Sequence, residues 1–471
     1  MTHSRVLLAG LALAGFAAAQ DAPVLRAGAA TADITPPLGS PIVGGWTPMP
    51  ATHVHDELRA RALVLDDGST RLAIVLSDNV GIPRYVLDAA RRMIREKTGI
   101  PASHLLLAST HTHSASSARG QGGLTEQPLD DYQRFLAGRI ADAVANALHN
   151  LEPARIGWGL GHEPSQVFNR RWRMKPGIVL RNPFGGIDQV MMNPPAGSPD
   201  LLEPAGPTDP EIHFLSVQSA AGRPIALLAN YSLHYVGGVD GAAISADYFG
   251  MFARRIGELL GADGQDPPFV GILSNGASGN INNIDFRSTR RPKHRPYEKM
   301  RMVAGMVAAE VWKACQTLEY HDRVPLGVAM REIPLAVRVP SAEDLRWAEG
   351  VLKDPPKIHR HEETYARRTL AAGNYPARVS LPLQALRIGD VGIAAVPAET
   401  FVEIGLEIRK SSPFPRTFTI SIANGSYGYL PTPEHHALGG YETWRGTSNL
   451  EVQASRKITD TLLELLSALR R

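Results

Sequence analysis

Two histidines separated by one residue, His111 and His113 in Ser109-Thr110-His111-Thr112-His113-Ser114, offer the clearest start to any chemistry in this chain. Imidazoles ligate divalent metals and exchange protons near neutral pH. The preceding run Leu105-Leu106-Leu107-Ala108 reads as a buried strand. Strand residues two apart share a face, so both rings can reach one site. Flanking Ser109, Thr110, Thr112 and Ser114 are placed to hydrogen-bond the rings and fix their tautomers. A second pair, His53-Val54-His55, approaches a strand through polar residues and reads as solvated or turn-stabilising.

Four further clusters follow apolar strands in the same manner. His234 closes Ile225-Ala226-Leu227-Leu228-Ala229-Asn230-Tyr231, and Glu399 follows Gly392-Ile393-Ala394-Ala395-Val396. Ligands of open α/β sheets gather at such C-terminal strand edges. Asn275-Gly276-Ala277-Ser278-Gly279-Asn280 follows Phe269 to Leu273 and half-matches the Gly-x-Ser-x-Gly elbow of serine hydrolases, with Asn280 in place of the last glycine. It reads as a tight turn or an oxyanion cradle with Ser278 as nucleophile or donor. Tyr429 and Tyr441 follow the strand Phe418 to Ile422. Cys315 is the lone cysteine, which excludes a multi-thiolate zinc site and an intrachain disulfide, so a metal must rest on His, Asp, Glu or Tyr.

The elements that must position these groups alternate β-rich apolar runs with amphipathic helices, predicting an α/β fold of layered sheets flanked by helices, with the active site at strand C-terminal ends. Strands are predicted at 58–65, 72–76, 105–109, 212–217, 225–231, 269–273, 383–388, 391–396 and 418–422; helices at 84–97, 132–150, 248–260, 297–318, 401–409 and 449–469. The proline-rich stretch 172–210 reads as a long ordered loop that could act as a lid, and 353–375 as a charged helix whose His359 and His361 face solvent. Residues 1 to 19, basic then Leu/Ala-rich then small, read as a secretory signal, which implies a secreted or periplasmic protein. The remainder, 20–471, reads as the catalytic domain. With 49 Lys+Arg against 46 Asp+Glu, the net charge of +3 argues against a nucleic-acid partner. A small molecule or lipid is the expected substrate, with peripheral membrane contact and no transmembrane segment.

Together these motifs resemble the neutral/alkaline non-lysosomal ceramidase family, specifically its zinc-bearing catalytic domain. Arg26-Ala27-Gly28-Ala29-Ala30-Thr31-Ala32-Asp33-Ile34-Thr35-Pro36-Pro37 is similar to the family's opening. Thr110-His111-Thr112-His113-Ser114 resembles its zinc-binding His-Thr-His-Ser, which implies His111 as ligand and His113 as catalytic partner. Asn230 to His234 resembles the segment of the second zinc histidine, Pro397-Ala398-Glu399 that of the carboxylate ligand, and Gly428-Tyr429-Leu430 that of a tyrosine ligand. Tyr441 is similar to a further active-site tyrosine, and Phe168-Asn169-Arg170 to an element whose arginine polarises substrate. The chain departs at the Ser278 loop, which lacks the family's acidic residue and proline, at Tyr235, where the family has proline, and at Arg471, where it ends without the immunoglobulin-like domain. The resemblance implies a Zn2+-dependent amidohydrolase acting on ceramide or a related N-acyl lipid. Zinc held this way lowers the pKa of water toward about 7, and Arg170, Tyr441 and the Ser278 loop are then expected to stabilise the oxyanion. The alternatives are a same-fold hydrolase of another small amide or ester, and an exported binding protein without catalysis.

Overall fold

A computed structural model describes residues 24–471 other than 117, 120–122, 291 and 355–357. The segment expected to be an export signal lies outside the described residues. Eight strands form the larger sheet: β1 (Arg26–Asp33), β2 (Arg59–Asp66), β3 (Arg71–Ser77), β4 (Leu105–Ser109), β5 (Glu152–His162), β6 (Glu211–Ser219), β7 (Pro224–Tyr231) and β8 (Val270–Asn275). Their spatial order is β8-β7-β6-β5-β1-β2-β3-β4. The outermost pairs β7/β8 and β3/β4 run parallel, and the interior pairs antiparallel. A four-stranded sheet follows, β9 (Leu326–Ala336), β10 (Arg378–Ile388), β11 (Val391–Val396) and β12 (Arg416–Ser421), with β11 and β12 parallel.

The two sheets pack face to face. Leu63, Leu72, Ile74, Leu106, Leu228 and Ile272 from the large sheet meet Leu386, Ile393, Phe418 and Ile420 from the small one in a single apolar layer. Helices Arg84–Thr98 and Asp131–His149 cover one half of the large sheet's outer face, and Asp247–Leu259 with Glu298–Cys315 cover the other. Val402–Ser411 and Ala454–Arg470 cover the small sheet. Burial on both faces explains why the central strands read as continuous apolar runs. The Asp131 helix starts where its pattern predicts because Asp130 and Gln133 close a capping box. No helix among the described residues is long and apolar enough to cross a membrane.

Strands β1, β5 and β9 were not among the strands predicted from pattern. In β5, Gly157, Gly159 and Gly161 break the apolar alternation. They admit neighbours instead: a Cβ at Gly159 would lie 2.3 Å from the Phe214 ring, and one at Gly157 2.8 Å from the Glu319 carbonyl. The stretch 172–210 is built as a small three-stranded antiparallel sheet, ordered Val190–Met192, Arg171–Met174, Leu201–Pro204, with a hairpin of Leu180–Arg181 and Ile187–Asp188. The helix within 353–375 covers only Glu362–Ala372. Contrary to the solvated face expected, His359 and His361 precede it and line a pocket, with His361 stacked on Trp46 at 3.6 Å. The expectation failed because helical spacing was applied to residues outside the helix. His53 and His55 behave as expected: His55 bonds Asp56 at 2.6 Å and stacks on Tyr297.

Two buried asparagines tie the sheets together where strands end. Asn230 donates to the Thr419 carbonyl at 3.0 Å, joining β7 to β12. Asn424 sits at φ 65, a conformation asparagine tolerates better than most residues. Its side chain accepts from Arg91 at 2.6 Å and from the Leu107 amide at 3.2 Å, and donates to Gln384 at 2.9 Å. Replacing Asn424 with Ala leaves these buried partners unsatisfied, and a loss of roughly 2–4 kcal/mol is expected in a denaturant melt. A loss under half a kilocalorie would show that the asparagine does not pin the sheets.

Candidate metal centre

Groups at the C-terminal ends of β4, β7 and β11 converge on one buried point. His111 Nε2 lies 3.0 Å from His113 Nε2 and 3.1 Å from His234 Nε2. Glu399 Oε2 stands 3.4 Å from the first of these nitrogens and 3.9 Å from the last. The convergence of His111 and His113 does not come from strand alternation, because β4 ends at Ser109 and His111 takes a left-handed φ of 75. That turn brings the rings edge to face, with centroids 4.6 Å apart.

Backbone carbonyls orient all three rings. Nδ1 of His111 bonds the Val80 oxygen at 2.6 Å, Nδ1 of His113 that of Gly44 at 2.8 Å, and Nδ1 of His234 that of Ser278 at 3.1 Å. A carbonyl oxygen only accepts, so each Nδ1 carries a hydrogen and each ring turns its Nε2 toward the others. The hydroxyls expected to do this are placed otherwise. Thr112 donates to the Ser245 carbonyl at 2.7 Å, and among the described residues Ser109 Oγ and Thr110 Oγ1 find no partner. Gly44 permits the approach, since a Cβ there would meet the His113 carbonyl at 2.0 Å.

Burial depresses the His113 and His234 imidazoles well below their usual pKa, and the His111 ring beside them adds to the effect. Burial alone would raise Glu399, yet His111, Arg119 and His234 hold its carboxyl well below the ordinary range. The result is a carboxylate beside nitrogens with available lone pairs, a donor set suited to a divalent cation. The spacing fits too. Nitrogens at about 2.0–2.1 Å from a tetrahedral ion lie roughly 3.3 Å from one another, and His111, His113 and His234 present ligand atoms all within 4.8 Å.

The comparisons with known proteins bear on this cluster. No protein-family model matches the chain. Neutral ceramidase from Pseudomonas aeruginosa is 23% identical over 492 residues, which span 92% of this chain and 70% of that protein. A crystal structure of neutral ceramidase from Pseudomonas aeruginosa matches with a TM-score of 0.72 at 20% identity, covering 96% of this chain and 75% of that one. A ceramidase complexed with C2 matches with a TM-score of 0.71 at 19% identity, covering 96% and 76%. The chain is a homologue of neutral ceramidase.

In this ceramidase homologue the short strand Glu399–Thr400 pairs in parallel with Tyr429–Leu430, placing Glu399 opposite Tyr429. Tyr429 Oη reaches to 3.5 Å from His234 Nε2 and accepts from Arg170 at 3.0 Å. Burial raises the Tyr429 pKa well above its usual value, which favours the protonated phenol. A cavity of about 290 Å³ opens over the cluster and is lined by His111, His113, Arg119, Glu399, Tyr429 and Tyr441. Tyr441 also lines an adjoining pocket of about 230 Å³ with Trp46, Val179, Met191 and Trp444. Ser278 and Arg170 are not among the residues lining either space. Ser278 Oγ donates to Asn275 at 2.6 Å, and its loop packs behind the site, with the Gly279 amide on the Thr400 carbonyl at 2.8 Å.

Sequence reasoning missed Arg119, whose Nη2 lies 3.5 Å from Glu399, and Glu442, the fully buried partner of Arg170 and Arg171. It also missed the packing of Tyr235, noted only as a departure, whose ring stacks on His113 at 3.7 Å. Nothing in the local pattern marks these residues, because their partners lie far away in the chain. The cluster leads to a direct expectation. One divalent ion should bind per chain, stabilising the fold by about 2.7 kcal/mol at a hundredfold excess over Kd, and His234→Ala should abolish the gain in a thermal melt. Equal melting with and without metal would rule the centre out.

Proposed function

We propose that this protein is a zinc-dependent amidohydrolase that cleaves the N-acyl amide bond of ceramide or a related N-acyl lipid, and that it acts as an exported enzyme. The observation that carries the reading is the convergence of His111, His113, His234 and Glu399 beneath an open cavity in a chain with the neutral ceramidase fold. His111, His234, Glu399 and Tyr429 would hold the ion. Bound zinc supplies Lewis acidity and lowers the pKa of water toward neutrality.

The remaining work belongs to side chains. His113 is anchored at Nδ1 by Gly44 and steadied by Tyr235, so its Nε2 is free to take a proton from the attacking water and return it to the leaving amine nitrogen. In that exchange a C–O bond forms at the acyl carbon and the C–N bond breaks. Tyr441, whose pKa burial raises, keeps its hydroxyl hydrogen and donates to the carbonyl oxygen as charge develops there. The Ser278 loop acts from behind, through the carbonyl that orients His234. The aromatic and aliphatic pocket beside Tyr441 suits an apolar arm of the substrate.

A panel of ceramides and simpler N-acyl amides, read by release of fatty acid and amine, tests the assignment. His111→Ala should lose zinc and reduce turnover roughly a thousandfold or more. His113→Ala should retain zinc and lose roughly 10²–10⁴ in rate. Full activity in His111→Ala refutes the mechanism, zinc loss in His113→Ala makes that residue a ligand, and stoichiometric zinc without hydrolysis across the panel favours a binding protein.

A further inference from the structure

Arg170 and Glu442 form a buried charge system that the hydrolytic steps leave unused. Glu442 is 0% exposed and carries a guanidinium on each carboxylate oxygen: Arg170 Nε on Oε1 at 2.8 Å, and Arg171 Nη1 on Oε2 at 2.6 Å. Arg171, itself 0% exposed, is fixed in turn by the Gly439 carbonyl at 2.6 Å and the His435 carbonyl at 3.4 Å. The far end of Arg170 donates from Nη2 to Tyr429 Oη. Chain direction reinforces this, since the Arg170 amide is bonded to the Asn280 carbonyl at 2.9 Å. The backbone beneath Arg170 is thereby held against the loop that orients His234.

We infer that Glu442 and Arg170 are positioning residues: Glu442 fixes the Arg170 guanidinium, and Arg170 fixes the Tyr429 hydroxyl at the histidine cluster. This rests on the proposed zinc site and assigns Arg170 a target within the protein, where the resemblance implied the substrate. The geometry supports it in three ways. Arg170 is 4% exposed and does not line the cavity. Its Nε and Nη2 are committed at opposite ends, one to the carboxylate and one to the phenol. Burying three charges is unfavourable unless each is paired, so the carboxylate cannot release either arginine without leaving a charge unpartnered.

Charge-conserving variants separate positioning from electrostatics. Lysine at 170 keeps the charge but cannot span carboxylate and phenol, and aspartate at 442 is too short to hold both arginines. Zinc affinity of the full chain, measured by chelator competition, is the readout, because it does not depend on which substrate the enzyme takes. Tyr429→Phe, Arg170→Lys and Glu442→Asp should each weaken zinc binding roughly 10–100-fold. Adding Arg170→Lys or Glu442→Asp to Tyr429→Phe should cost no more than about twofold further. Wild-type affinity in both charge-conserving variants overturns the inference, as does an equal loss in the Tyr429→Phe background. Unchanged affinity in Tyr429→Phe itself removes the tyrosine from the proposed site and this inference with it. Should Glu442→Asp melt early, Arg170→Lys in the two backgrounds decides alone.

Discussion

Each of three imidazoles has its Nδ1 committed to a backbone carbonyl, and the rest of the site follows from that commitment. Carbonyls of Gly44, Val80 and Ser278 are the acceptors, the last also holding the Ile281 amide at 2.9 Å. They select one tautomer and one ring orientation, and so decide where the Nε2 lone pairs point. The three carbonyls come from distant segments: the strap after β1, the turn after β3 and the loop after β8. These segments can meet only if β3, β4, β7 and β8 end at one edge and the small sheet presents β11 at the same place. The asparagine ties at 230 and 424 keep the two sheets in that register. What reads as fold stability at the sheet edge is therefore also site geometry.

The electrostatic consequence is a site short of positive charge at its centre. Bare nitrogens 3.0–3.1 Å apart repel unless something electropositive lies among them. One carboxylate, Glu399, sharpens the demand. Nearby cations do not meet it: Arg119 approaches Glu399 from the other oxygen, and Arg170 is turned toward Glu442 and Tyr429. The left-handed His111 belongs to the same economy of strain. A non-glycine residue at φ 75 is costly, of order 1–3 kcal/mol, and persists only where its surroundings over-determine it. Here the His111 amide is held by the Asn79 carbonyl and its ring by Val80.

Much of this was legible in the sequence, for identifiable reasons. Buried strands such as Leu105–Ser109 and Val391–Val396 announce themselves as short apolar runs, and polar residues just beyond them lie at the sheet edge by construction. His111, His234, Glu399 and Tyr429 were all accessible by that route. What escaped was long-range or atypical. The glycines of β5 erase a strand's periodicity while serving close packing. The tautomer-fixing carbonyls have no side-chain signature at all. Convergence of His111 and His113 was foreseen for the wrong reason, since pattern cannot show that a strand stops at Ser109 and the next turn is left-handed. Glu442 stood beside Tyr441 without notice, because its meaning depends on Arg170 and Arg171 far earlier in the chain.

The histidine cluster and the apolar pocket are built from different kinds of segment. The histidines and Glu399 sit at strand ends, where a shift of a fraction of an ångström is opposed by two packed sheets. The apolar pocket beside Tyr441 is assembled from Trp46 on an N-terminal strap, Val179 just ahead of the Leu180–Arg181 hairpin, Met191 on the small three-stranded sheet, His361 ahead of a helix, and Trp444 on a short turn. Connecting segments tolerate substitution far better than the elements they join. Tyr441 is the point where the two meet, lining both the cavity over the histidines and the apolar pocket. On the proposed reading, a side chain in that position would couple the fit of an apolar substrate arm to the placement of the carbonyl, so a change of pocket would alter turnover as well as affinity.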